Sequence, residues 1–183
     1  MAATVQINRL TGSGAGTGTD ITSINTRADV SDAHSTGSTS NPIQIPTSPG
    51  TNYSYWVTTR LNVTVAPSGT INNLKWYTDG SNNFGTGIAC IVAKASTGAN
   101  SGYRQATGTT GTGTQLTTGN HTGIDATPVN AFGLTSGSPL SLTGSTTGTG
   151  LFGDLVVYQI TVDETAGPGA STTETFTFRY DET

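Results

Sequence analysis

The sequence predicts an all-β protein: an antiparallel β-sandwich or barrel with long Gly/Thr-rich loops and an extended N-terminal arm. Composition is the first reason. The 183 residues include 38 Thr, 25 Gly and 17 Ser. Thr is β-branched and Gly is flexible, so both disfavour helices. The second reason is period-two alternation of apolar and polar residues in several stretches, the pattern of a half-buried strand. The third is the Gly, Pro, Asn and Asp chemistry between those stretches, which suits turns.

Residues Ala3 to Leu10 alternate weakly, with Val5 and Ile7 on one side, and predict a short strand. Thr11 to Asn41 is polar, with scattered Ile21, Ile24 and Val30. Thirty such residues are long for a connection inside a compact domain. The stretch reads as an extended arm or long surface loop, with a flexible tail as the alternative. The chain thus divides into residues 1–41, a strand plus arm, and residues 42–183, a sandwich domain.

The strongest signal starts at Tyr53. Tyr53, Tyr55, Val57, Thr59, Leu61, Val63 and Val65 share one strand face. Ser54, Thr58, Arg60, Asn62 and Thr64 share the other, interrupted by Trp56. After the turn at Pro67-Ser68-Gly69, Ile71, Leu74, Trp76 and Tyr77 predict a second strand with a bulge. Ile88 to Lys94 is apolar on both faces and reads as a central strand. Together these predict a meander of two or three antiparallel strands. Ser96 to Gly123 is a polar loop, and Ile124 to Leu134 has room for one helical turn. Leu151 to Val162 alternates, with Val156, Tyr158, Ile160 and Val162 on its apolar face. The last strand carries Phe176, Phe178 and Tyr180 on one side.

Several function classes are excluded. Two Lys, five Arg, a net charge of −4 and a pI near 4.8 leave no basic footprint for nucleic acid. No apolar run approaches the length of a spanning helix. A single cysteine, Cys90, rules out an internal disulfide. The residues after Met1 lack the basic start and apolar stretch of a signal peptide, so the chain reads as made in a cytosol.

Catalytic and cofactor motifs fail on context. Gly148-Thr149-Gly150-Leu151-Phe152-Gly153 fits G-x-G-x-x-G, but a polar loop precedes it and a strand follows it. A dinucleotide site needs a helix there, because the helix N-terminus holds the pyrophosphate. His34, His121 and Cys90 are scattered, so no metal set forms. There is no G-x-S-x-G elbow. The carboxylate pairs Asp163-Glu164 and Asp181-Glu182 are neighbours on a strand and point apart. The chain therefore reads as non-enzymatic, with no catalytic, cofactor or metal residues.

What remains is contact. Ile21, Ile24 and Val30 are apolar points on a polar arm. Trp56, near Arg60 on the polar face, could stack on a sugar or anchor a neighbouring subunit; a second covered face is the plainer reading. Tyr103 and Arg104 interrupt the Gly-Thr loop. These seven residues are the expected partner contacts.

The stretches Tyr53-Ser54-Tyr55-Trp56 and Gly69-Thr70-Ile71-Asn72-Asn73-Leu74-Lys75-Trp76-Tyr77-Thr78-Asp79-Gly80 resemble structural proteins of tailed bacteriophages. So does the ending Phe176-Thr177-Phe178-Arg179-Tyr180. The likeness is one of texture over most of the chain, nearest to capsid decoration (cement) or minor virion proteins. It implies a β-rich protein made in the host cytoplasm and added to the virion. It further implies a homo-oligomer, with a trimer favoured, bound to the major capsid protein or other virion proteins. On this view, deleting residues 1–41 removes attachment and leaves the core strands folded. The alternative is a carbohydrate-binding module of a phage tail fibre or bacterial surface adhesin, which needs exposed aromatics such as Trp56 or Tyr103.

Overall fold

The computed structural model describes residues 2–37, 40–96 and 101–183. Twelve strands follow in chain order among them: β1 (Thr4–Thr11), β2 (Thr17–Asp20), β3 (Thr51–Tyr53), β4 (Val57–Val65), β5 (Ile71–Tyr77) and β6 (Ile88–Ala95). Then come β7 (Gly108–Thr109), β8 (Thr112–Gly113), β9 (Val129–Asn130), β10 (Leu140–Ser141), β11 (Gly150–Asp163) and β12 (Thr177–Glu182). The one helical element among the described residues is a 3₁₀ turn at Ala131–Gly133, inside the stretch where the sequence left room for it.

Ten of the twelve strands form two facing antiparallel sheets, the sandwich that the sequence predicts, and β7 and β8 form a separate pair. The large sheet runs β2-β1-β4-β11-β6-β9, with β3 also on β11. The small sheet runs β10-β5-β12. Val57, Leu61, Val63, Leu74, Trp76, Val92, Val156 and Tyr158 fill the space between them. At roughly 25 cal/mol per Å² of apolar area removed from water, this packing is the main force holding the sheets together.

The meander expected of β4, β5 and β6 does not form. β5 crosses to the small sheet, and β11 separates β4 from β6. The reason lies in β11, where Phe152 to Ile160 are buried throughout. Val156, Tyr158 and Ile160 face the small sheet, while Leu155 and Val157 face the other way. A strand apolar on both faces belongs in the centre of a covered sheet.

The long strand expected from Tyr53 to Val65 is broken. β3 pairs Tyr53 with Thr161, and β4 pairs Val57 with Tyr158. Four steps on one side therefore oppose three on the other, which is a bulge. Ser54 bridges the gap: its N–H donates to the Ile160 carbonyl at 2.9 Å, and its Oγ accepts from the Ile160 N–H at 3.0 Å. The extra residue lets Tyr55 and Trp56 both pack on the outer side of the sheet.

That outer side is covered too. Residues 101–125 lie across it and close a second apolar cluster of Leu10, Trp56, Ala93, Tyr103, Leu116, Ile124, Leu155 and Val157. The large sheet is thus the middle of three layers. The N-terminal strand is also internal, since β1 sits between β2 and β4. Removing residues 1–41 would strip β4 of that neighbour, so the deletion disturbs the core as well as the arm.

Candidate functional site

The two sheets do not close along one side. There the structure leaves a groove of about 1200 Å³. Its floor is the inner face of the large sheet, with Ile7, Thr59, Tyr158, Ile160 and Val162. Its roof is Trp76 with Phe176 and Phe178 from the edge strand β12 and the residue before it. Phe176 wedges between the layers, 5.2 Å from Trp76 and 5.0 Å from Tyr158, edge-on to the latter. The arm and the residues just after it supply the walls through residues 21–29 and 41–45, opposite residues 166–175.

Hydrogen bonds to the sheet fix the arm. The Ile21 N–H donates to the Ile7 carbonyl, and the Ile7 N–H donates to Thr22 Oγ1 at 2.8 Å. Arg9 is only 2% exposed, and its Nη1 donates to Thr26 Oγ1 at 2.7 Å and to the Arg27 carbonyl at 2.6 Å. Asp29 is buried at the groove wall. Burial raises its carboxyl above the usual range, and the charges of Arg9 and Arg27 oppose that rise. The Gln44 N–H donates to the Gly111 carbonyl, and Asn52 Nδ2 donates to the Gln44 carbonyl. Polar backbone is thereby satisfied while Ile24 and Ile45 are left at the rim, 47% and 40% exposed.

The groove carries little acid–base chemistry. Its ionisable side chains are Arg27, Asp29, Glu174 and the buried Tyr158, whose phenol burial pushes up. Among the described residues no three His, Cys, Asp or Glu side chains come together as a metal set. No helix there is long and apolar enough to cross a membrane. The arrangement can bury apolar surface and offer backbone groups along an edge.

Of the seven expected contact residues, the structure brings Ile21 and Ile24 together in the groove. Val30 is half-buried beside a smaller depression of about 470 Å³ formed with Tyr55 and residues 108–111. Trp56, Arg60 and Tyr103 are 5%, 8% and 6% exposed, so these three side chains build the fold and do not face a partner. Trp56 Nε1 donates to the Arg104 carbonyl at 3.0 Å, and Tyr103 Oη donates to the Gly12 carbonyl at 2.7 Å. Arg60 Nε donates at 2.9 Å to the carbonyl of Gly153, where a bulge in β11 opens room for it. Burial lowers the guanidinium pKa there, and Asp154 opposes that shift. Arg104 is half-buried; its Nε donates to Thr122 Oγ1 and its Nη1 to the Ser101 and Tyr103 carbonyls. The covered face is thus the answer for Trp56. Residues 38–39 of the arm and 97–100 of the loop lie outside the described residues.

Sequence reading missed Ile45, Phe176 and Phe178 as groove residues. The alternation of Ile43 and Ile45 between Pro42 and Pro46 was the available signal. The large exposed hydrophobic side chains among the described residues are Ile24, Ile45, Val65, Val129 and Leu151, all aliphatic. A sugar face needs exposed aromatic rings to stack on. Comparison with protein-family models, with curated proteins and with solved structures finds no match to this chain.

Proposed function

We propose that this chain is a non-enzymatic structural protein of a phage virion, of the decoration or minor capsid kind. It holds the shell and copies of itself, a trimer being the favoured assembly, through the side where the arm meets the groove. One observation carries this reading: the open flank of the sandwich, with its apolar floor and the exposed Ile24 and Ile45 at the rim. Protein interiors are close-packed, and a wide apolar opening is a place where a neighbour's side chains gain burial. Low charge and many hydroxyl groups suit hydrogen-bonded contacts at the surrounding surface. The major capsid protein or another virion protein is the partner, without nucleic acid or membrane.

Light scattering on the purified chain, together with the Ile24→Asp/Ile45→Asp double variant, tests the assembly. The expected result is an oligomer for the wild type and a shift toward monomer, by at least tenfold in dissociation constant, for the variant. Co-sedimentation with capsid shells should weaken in parallel. A wild type that is monomeric at tens of micromolar and ignores shells would refute the proposal.

A further inference from the structure

His121 is wholly buried, and neither ring nitrogen has a hydrogen-bond partner among the described residues. A buried imidazole almost always bonds through at least one nitrogen. This one instead packs edge-on against Trp56, with ring centroids 5.0 Å apart. It sits in the 101–125 cover, whose regular structure is the two-residue pair β7 and β8. Single hydrogen bonds hold that cover to its surroundings, among them the Tyr53 N–H to Thr112 Oγ1, Ser96 to Asp125 and an isolated bridge between Ala95 and Ile124. Gln159 Oε1 accepts from the Leu116 N–H and its Nε2 donates to the Thr114 carbonyl. Trp56 bonds Arg104, and the Asp125 N–H donates to the Lys94 carbonyl. The cover's bonds come from side chains and single backbone groups, and its apolar contacts from side chains such as Leu116 and Ile124. An element held without a continuous strand ladder opens locally at lower free energy than a sheet core.

We propose that His121 is a pH latch: protonating its imidazole opens the 101–125 cover and bares the outer face of the large sheet, while the two-sheet core stays folded. A positive charge placed against Trp56 is favoured only by the backbone of His121 itself, which desolvation outweighs, and a poorly paired buried charge is costly. The ionisable groups around the cover do not relieve it. Arg104 lies within it and adds like charge that disfavours protonation. Tyr103 donates to Gly12, and Asp32 of the arm accepts from Gln105 Nε2. Lys94 of β6 pairs with Asp125 and Asp154. Desolvation pushes the His121 pKa down to about 4 in the closed state, against about 6.5 for a solvated imidazole. The open cover therefore gains on the closed one by up to tenfold per pH unit below about 6.5, on the order of 10²-fold by pH 4. What opens is a surface containing Trp56, Leu155 and Val157, apolar enough to join another such surface.

Hydrogen exchange by mass spectrometry on the full chain tests this, at pH 7, 5.5 and 4.5 and corrected for intrinsic rates. Peptides over residues 103–124 should open at least tenfold more readily at pH 4.5 than at pH 7, while β11 and β6 stay protected. His121→Gln and His121→Phe, which do not titrate, should abolish that dependence. An unchanged pH response in either variant, a flat wild-type response, or loss of β11 protection in step with the cover would overturn the latch. An NMR titration of the wild type needs no variant. A His121 Cε1–H midpoint near 6.5 with the cover still closed would overturn it as well.

Discussion

Replacing Gln159 by Met probes how the third layer is fastened. Gln159 is fully buried in the middle of β11 and makes three hydrogen bonds. Its Oε1 accepts from the Leu116 N–H at 2.7 Å, and its Nε2 donates to the carbonyls of Ser54 at 2.7 Å and Thr114 at 2.8 Å. Met has a similar length and volume, so the cavity term is small. The N–H left without an acceptor costs about 2–3 kcal/mol, and each carbonyl about 1 kcal/mol. The gain from a more apolar side chain offsets about 1 kcal/mol of this. The net loss is about 3–4 kcal/mol, or roughly 10 °C in Tm for a chain of this size. Urea titration followed by far-UV circular dichroism measures it. Amide exchange should show the added opening concentrated at residues 114–117. A loss below about 1 kcal/mol, or one spread evenly over both sheets, would refute the reasoning that Gln159 fastens cover to sheet.

Three further outcomes follow from the same structure. Gly144→Ala should cost more than about 2 kcal/mol in urea, because φ is +139° and a Cβ there would overlap the Gly153 backbone. Gly148→Ala, with nothing within 4 Å, should change the midpoint little. The Cys90 thiol is buried and its pKa pushed up by burial, so Ellman's reagent should leave the native chain unmodified and label one thiol on unfolding. His121 sets the sign of the acid response. Its folded pKa of about 4 lies below the unfolded value, so the unfolded chain binds the extra proton. Its contribution to stability is complete above about pH 6.5 and falls by about 3 kcal/mol as pH drops to 4. Urea midpoints of wild type and His121→Gln across that range should converge toward acid pH.

The strands were legible where an apolar run or an alternating pattern lies between turn residues. β5, β6, β11 and β12 lie where Ile71, Ile88, Leu151 and Phe178 announce them. Their order was not, because alternation reports which face of a strand is apolar and is silent about its neighbour. The buried face carrying Thr58, Arg60 and Gln159 was also hidden. A hydroxyl or amide bonded in an interior has the same letter as one bonded to water. Thr58 is buried inside the sheet, and nothing in its sequence context separates it from Thr64, on the same face at the exposed end. The groove depends on Ile7, Ile45 and Phe176 converging from three distant segments, which no local pattern encodes. Trp56 was half legible: its place on a polar face marked it as unusual, and the cover that explains it comes from residues some fifty positions away.

The position of β11 has a consequence for how the protein is made. It is the strand on which β3, β4 and β6 all pair, and it spans residues 150–163, more than fifty residues after β6. During synthesis, β4 and β6 leave the ribosome long before their shared neighbour exists. Each then presents an unpaired edge, with three Val in β4 and two Ile and a Val in β6, the kind of edge that recruits other chains. Closing those ladders joins residues as far apart as Leu61 and Phe152, and such distant contacts form slowly. The nascent chain therefore stays open until residues 150–163 emerge, and its sparse charge gives little repulsion between neighbouring copies on one message.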